Sequence, residues 1–271
     1  MKLASLSLST LAAFSLVVAI PARPSAQSAS GTSGGARPTA TARAFHSSST
    51  TSSGTNPAAT ASTGGAAGFA ADPSINVAGV YAAAKAANAH DLASYPTSPN
   101  GNSIAHIYGD WQNLTGVSAF HFIADMDTDC DGPSASCKGN TDGQTLTSFG
   151  ALDATKVPYF VLPEKFTLEN KSILKDNALG AIICGGKMFY GIYGDQDADS
   201  PQVIGEASIL IGQSCFGPII NGGNGHPEVD VVYIVFGSQV PSGVEKSSID
   251  IPALKSLGDA QVKLLQTALG L

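Results

Sequence analysis

Two groups of carboxylates in this 271-residue chain have types and spacing suited to chemistry. The first begins with Tyr190-Gly-Ile-Tyr193-Gly-Asp195 and resumes, after a polar loop, at Ile204-Gly-Glu206-Ala-Ser208. An aspartate ends one apolar run and a glutamate lies inside the next. A Glu among apolar neighbours is costly to ionise, so it keeps its proton or finds a partner. A carboxyl with a raised pKa suits general-acid catalysis, while a second, ionised carboxylate can activate water. Suppose the two runs form a hairpin in which Glu206 shares a face with Ile204, Ser208 and Leu210. The two carboxylates then lie ~10 Å apart along the strand, at ~3.3 Å per residue. That leaves room for a water between them, the arrangement of inverting glycoside hydrolysis. In the competing reading Asp195 caps a turn and Glu206 faces solvent from an edge strand.

The second group is Asp125-Met-Asp127-Thr-Asp129-Cys-Asp131-Gly132. Alternate acids before a glycine resemble a calcium loop, but the position an EF-hand fills with a bidentate Glu is Lys138. Three readings stay open: a solvated turn, a weak cation site, or a negative patch for a cationic substrate. The charge of the whole domain favours the last, so Asp125, Asp127, Asp129 and Asp131 are candidate substrate-binding residues and no metal site is assigned. Trp111 and Tyr193 are the aromatic candidates for stacking on a sugar. The histidines are scattered and form no Ser-His-Asp or Cys-His signature. Gly185-Gly-Lys187 is followed by Met188 and so lacks the Ser/Thr of a phosphate-binding loop.

These residues sit in a chain of uneven composition. Positions 72–271 hold ten lysines, no arginine and all 21 acidic residues, a net charge of −11. That balance argues against nucleic acid, anionic membranes and phosphate-rich ligands as partners, and a cationic partner is its complement. Upstream, Met1-Lys2 and the apolar run Leu3–Ile20 read as a signal peptide over 1–22. Residues 23–71, rich in Ser, Thr, Gly and Ala, read as a disordered linker. The expectation is a secreted monomer with one folded domain over 72–271 and no membrane attachment after signal cleavage. Within it, Asp72-Pro73 is expected to open an alanine-rich helix. Six apolar runs follow: Val117–Ala124, Val157–Leu162, Ala178–Cys184, Lys187–Gly194, Val203–Gly212 and Val229–Gly237. Separated by turn residues, they predict a mainly β fold with a small six-stranded barrel or sandwich. A last helix is expected over Ile251–Leu271, with Leu254, Leu257, Val262, Leu265 and Leu269 as its apolar stripe. The four cysteines allow three pairings, of which Cys130–Cys137 and Cys184–Cys215 are favoured over zinc ligation.

The blocks Phe122–Gly132, Phe189–Asp195, Ile204–Ser208 and Val232–Gly237, in that order, resemble the fungal chitosanases of glycoside hydrolase family 75. The resemblance implies a double-psi-like barrel with flanking helices. It also implies an endo-acting, inverting hydrolase of β-1,4 bonds in chitosan that needs no cofactor. Carried over block by block, it matches Asp195 and Glu206 to the family's paired catalytic carboxylates, with Asp197 and Asp199 as alternatives to Asp195; the reading of the residues makes Glu206 the general acid and Asp195 the general base. A secreted carbohydrate-binding or cell-wall-loosening module, with a barrel groove and no hydrolysis, is the rival reading.

Overall fold

The computed structural model describes residues 68–133, 137–140 and 143–271. The expected signal peptide and nearly all of the expected linker lie outside the described residues. Along the chain run α1 (Val77–Ala86), β1 (Asp91–Pro96), β2 (Ile104–Tyr108), β3 (Phe120–Asp129) and β4 (Tyr159–Pro163). Then come α2 (Glu164–Glu169), β5 (Leu179–Cys184), β6 (Lys187–Asp197), β7 (Glu206–Ser208), α3 (Ile209–Phe216), β8 (His226–Phe236) and α4 (Ile251–Leu269). Six strands close on themselves in the order β3-β7-β4-β6-β5-β8, with β8 returning to pair with β3. Pairs β3–β7 and β4–β6 are parallel and the other four are antiparallel. Each of the six expected runs contributes one barrel strand, and closure leaves none of them as an open edge.

β4 and β5 are buried at every position, which is why their sequences are continuously apolar rather than alternating. Phe122 on β3 stacks on Tyr233 of β8 with ring centroids 4.6 Å apart. The β1–β2 hairpin extends the sheet outward through the pair Tyr108 and His121. α4 begins where Asp250 accepts a hydrogen bond from the Ala253 N–H and ends at Gly270 in the left-handed conformation. Of the expected stripe, Leu254, Val262 and Leu265 are buried while Leu257 and Leu269 are partly buried, and Gly258 is buried beside them. Among the described residues no helix is long and apolar enough to cross a membrane.

Four local expectations differ from what the chain does. α1 starts at Val77 with Asn76 as its cap, because Asp72 spends its carboxylate on the N–H and hydroxyl of Ser74. Phe69–Ala71, expected in the linker, join the domain: Phe69 is buried against Phe189, and Ala71 N–H donates to Met188 O at 2.9 Å. The run Val203–Gly212 is a strand for only three residues before it turns into α3, so Glu206 and Leu210 share no strand face. Ile209, Ile211, Gly212 and Cys215 pack inward from that helix, and a continuous apolar run cannot distinguish such a buried helix from a buried strand. Finally, β6 and β7 are not a hairpin. The wholly apolar β4 lies between them, where both of its edges are paired.

Both disulfides follow the favoured pairing. Cys130–Cys137 closes the turn after β3 with Cα atoms 6.2 Å apart, and Cys184–Cys215 ties the end of β5 to α3 at 5.5 Å.

Candidate active site

Insertion of β4 sets the geometry of the two carboxylates. Asp195 pairs with Val161 on one side of β4. Phe160 pairs with Ala207 on the other side, so continuing that antiparallel register one step puts Val161 opposite Glu206. Val161 is therefore flanked by the aspartate and the glutamate, two strand spacings of ~4.8 Å apart, or ~10 Å between backbones. On the far side of Glu206, β3 places Asp127 in register with it. One row across four strands thus carries Asp127, Glu206, Val161 and Asp195.

Two glycines make this row. Phe160 pairs with Tyr193 and Val161 with Asp195, so Gly194 is the extra residue of a β-bulge. In a regular strand Tyr193 and Asp195 would share a face; the bulge sends them to opposite faces. A Cβ on Gly194 would stand 2.6 Å from that of Tyr159, which explains the glycine of Tyr193-Gly-Asp195. Gly205 has φ +113°, and a Cβ there would lie 2.5 Å from Asp125 Oδ1 and 2.9 Å from Ala124 Cβ. Its carbonyl accepts from Asp127 N–H at 2.8 Å, which seats Glu206 at the start of β7.

Both carboxylates open into one cavity of about 420 Å³. Among the described residues six that line it are acidic, namely Asp129, Asp131, Asp195, Asp197, Asp199 and Glu206, and none is basic. Burial pushes the half-buried Glu206 well above the ordinary carboxyl range, and Asp129, Asp197, Asp127 and Asp195 add to the shift. Asp129, 6 % exposed, is pushed up to about 7 by burial, aided by Asp131 and Asp195 and opposed by bonds from Asp131 N–H and the Tyr159 hydroxyl. Asp195, also 6 % exposed, is raised by burial, but three donors oppose the rise. Ser148 Oγ–H at 2.6 Å, Ser148 N–H at 2.8 Å and Gln196 N–H at 2.7 Å all converge on Asp195 Oδ1. One carboxylate oxygen from each of Asp129, Asp131 and Asp195 lies within 4.8 Å of the others, a spacing that suits an ammonium group or another cation.

The residues expected to bind substrate divide. Asp129 and Asp131 line the cavity, and Asp127 is exposed beside Glu206. Asp125 does not reach it: at 7 % exposure its carboxyl packs against Gly205, with Oδ1 lacking a hydrogen-bond partner, and burial pushes it up to about 7. Trp111, 2 % exposed, stacks on His121 at 4.1 Å and is core. Tyr193, 1 % exposed, packs edge-on to Phe149 because the Gly194 bulge turns it away from the Asp195 face. Neither ring offers a platform to a sugar. Among the base alternatives, Asp197 spends its carboxylate on the N–H groups of Asp199 and Val203. Sequence reading missed Ser148, Gln144, Asn140 and Gln196. Only Gln196, next to Asp195, carried a positional signal; Asn140, Gln144 and Ser148 reach the site from the stretch that follows the acid-rich block, 8 to 16 residues beyond Gly132.

The profile of one family, described as fungal chitosanase of glycosyl hydrolase group 75, matches residues 126–263, slightly more than half of the chain. Endo-chitosanase C of Aspergillus oryzae is 47% identical over 210 residues, covering 75% of this chain and 55% of its own length. Endo-chitosanase B of Aspergillus oryzae is 32% identical over 166 residues (51% of this chain, 66% of its own), and an endo-chitosanase of Aspergillus fumigatus is 29% identical over 184 (57% and 74%). The chain thus spans little more than half the length of the first of these relatives. With the profile match covering β7, the Glu206 row and most of the barrel, the chain belongs to the family of fungal chitosanases, glycosyl hydrolase group 75.

Proposed function

We propose that this protein is a secreted, endo-acting chitosanase that hydrolyses β-1,4 glycosidic bonds with inversion, using Glu206 as general acid and Asp195 as general base. The carrying observation is the one cavity into which both carboxylates open, lined among the described residues by six acids and no basic residue. Chitosan is a polycation when its amines are protonated, and an anionic cavity attracts it. The family relatives named endo-chitosanase support the same substrate.

Glu206 keeps its proton because burial and four neighbouring carboxylates disfavour its charge. It donates that proton to the glycosidic oxygen as the bond breaks toward an oxocarbenium-like state. Asp195 has one oxygen held by three donors and leaves Oδ2 to orient and deprotonate the attacking water. Backbones ~10 Å apart on either side of β4 suit carboxyl groups separated by roughly 6.5–9.5 Å, the inverting range, with a water between them. Asp129 and Asp131 in the cavity, and Asp127 beside it, hold ammonium groups of neighbouring sugars. Two disulfides fit the oxidising environment of an exported protein.

Proton NMR of the first-formed reducing end tests this reading. The α-anomer is expected to appear first and then to mutarotate; β-anomer first would overturn inversion. Absence of new reducing ends on soluble chitosan would favour a binding module instead.

A further inference from the structure

We infer that Ser148 is a positioning residue: it clamps Oδ1 of Asp195 and thereby presents Oδ2 to the cavity. The inference rests on the reading of Asp195 as the base. Every hydrogen bond recorded for the Asp195 carboxylate falls on Oδ1, two from Ser148 and one from Gln196 N–H. Gln196 N–H also approaches Ser148 Oγ at 3.2 Å, so serine, carboxylate and backbone form one closed set of bonds. Three donors on one oxygen favour the charged form of the group. They also fix its rotation, since turning the carboxylate would break all three. Ser148 does not line the cavity, so it acts through Asp195.

The clamp is itself held in place. Ser148 sits in a turn closed by Thr147 and Gly150, which exchange backbone bonds at 2.7 and 3.2 Å. The next residue, Phe149, packs edge-on against Tyr193 at 4.9 Å, and the Tyr193 hydroxyl bonds the Gln196 side chain. Tyr193 thereby ties the turn to β6, which gives the second tyrosine of the Tyr-Gly-Ile-Tyr-Gly-Asp block a function without sugar contact. The titratable groups facing Asp195 are Asp129 and Asp131 from β3 and its turn, Tyr159 from β4, Tyr193 from β6 and Glu206 from β7. Among the described residues none of these is a cation, so the serine and backbone donors are what stabilises the charge.

The test is a carboxyl-carbon NMR titration of the full chain, with Ser148→Ala, Ser148→Thr and, for assignment, Asp195→Asn. Removing one donor to a charged group raises the Asp195 titration by roughly one pH unit, and threonine, which keeps the hydroxyl, restores it. On soluble chitosan, Ser148→Ala is expected to lower kcat about tenfold with KM unchanged, and to move the acidic limb of the kcat profile up by that same unit. An Asp195 titration unmoved in Ser148→Ala overturns the inference, as does a change confined to KM, which would mark Ser148 as a substrate contact. If Asp195→Asn stays active, the base assignment fails, while the titration still decides the clamp. If Asp195→Asn is inactive and Ser148→Ala titrates and turns over like the native protein, only the clamp fails.

Discussion

Replacing Glu206 by glutamine keeps the shape of the side chain and removes the proton that the proposed reaction needs. A general acid contributes about 10²–10⁴ in rate, so turnover is expected to fall by that factor, ~3–5 kcal/mol of barrier, while chitosan binding stays measurable. Stability should move the other way. Free glutamate titrates near 4.5, and Glu206 is held well above that value by burial and by Asp129, Asp197, Asp127 and Asp195. Between its unfolded and folded values the native state keeps a proton that the unfolded state has lost. Native stability therefore falls as pH rises, by up to ~1.4 kcal/mol per pH unit, until the folded value is passed. Glutamine does not titrate and escapes this loss. The variant should match the native protein below about pH 4 and gain up to ~3–6 °C in Tm per unit above it, taking ~2–4 °C per kcal/mol for a domain near 200 residues. Thermal melts at a series of pH values, beside reducing-end release on soluble chitosan, read both effects. Retained activity would refute Glu206 as the acid. A Tm difference that stays flat with pH would refute the picture of a glutamate kept neutral by its surroundings.

Two further substitutions test the row around Glu206. Asp127→Asn removes an exposed charge beside the cavity; it should raise KM roughly threefold to fivefold, an effect of ~1 kcal/mol that shrinks as salt is added, and leave kcat nearly unchanged. An unaltered KM would take Asp127 out of the substrate groove. Gly205→Ala forces a side chain into φ +113° against Asp125. It should cost about 2–4 kcal/mol in a denaturant titration, with lower activity as Glu206 shifts. A midpoint equal to that of the native protein would contradict the tight approach of Asp125.

Much of the architecture was legible because it depends on local pattern. The runs that became β3, β4, β5, β6 and β8 are apolar stretches bounded by turn residues, and α4 carries its own cap, apolar stripe and terminal glycine. The run Val203–Gly212 was misread after Ser208 because Ile209-Leu-Ile continues an apolar stretch in which strand and buried helix look alike. Trp111 and Tyr193 were misplaced for a related reason: residue type shows that a ring can stack, and only packing decides whether a face is left free. The pairing of the cysteines was open on sequence and followed the favoured alternative.

By itself the sequence determined the sign of the domain's charge and the identity of the chemical groups. Ten lysines, no arginine and 21 acids over 72–271 make the domain anionic in any fold, and the motif order carried the family. The distance between Asp195 and Glu206 was a tertiary decision. A hairpin and a barrel with β4 inserted give a similar span on paper, but only in the barrel do the two carboxylates flank the same valine and open into one cavity. Asp125 likewise left the groove, and Ser148 entered the site from 47 residues away. Bulges, register and strand insertion are settled by pairings between distant segments, whose free energies depend on what lies across the sheet. No window of neighbouring residues contains that information.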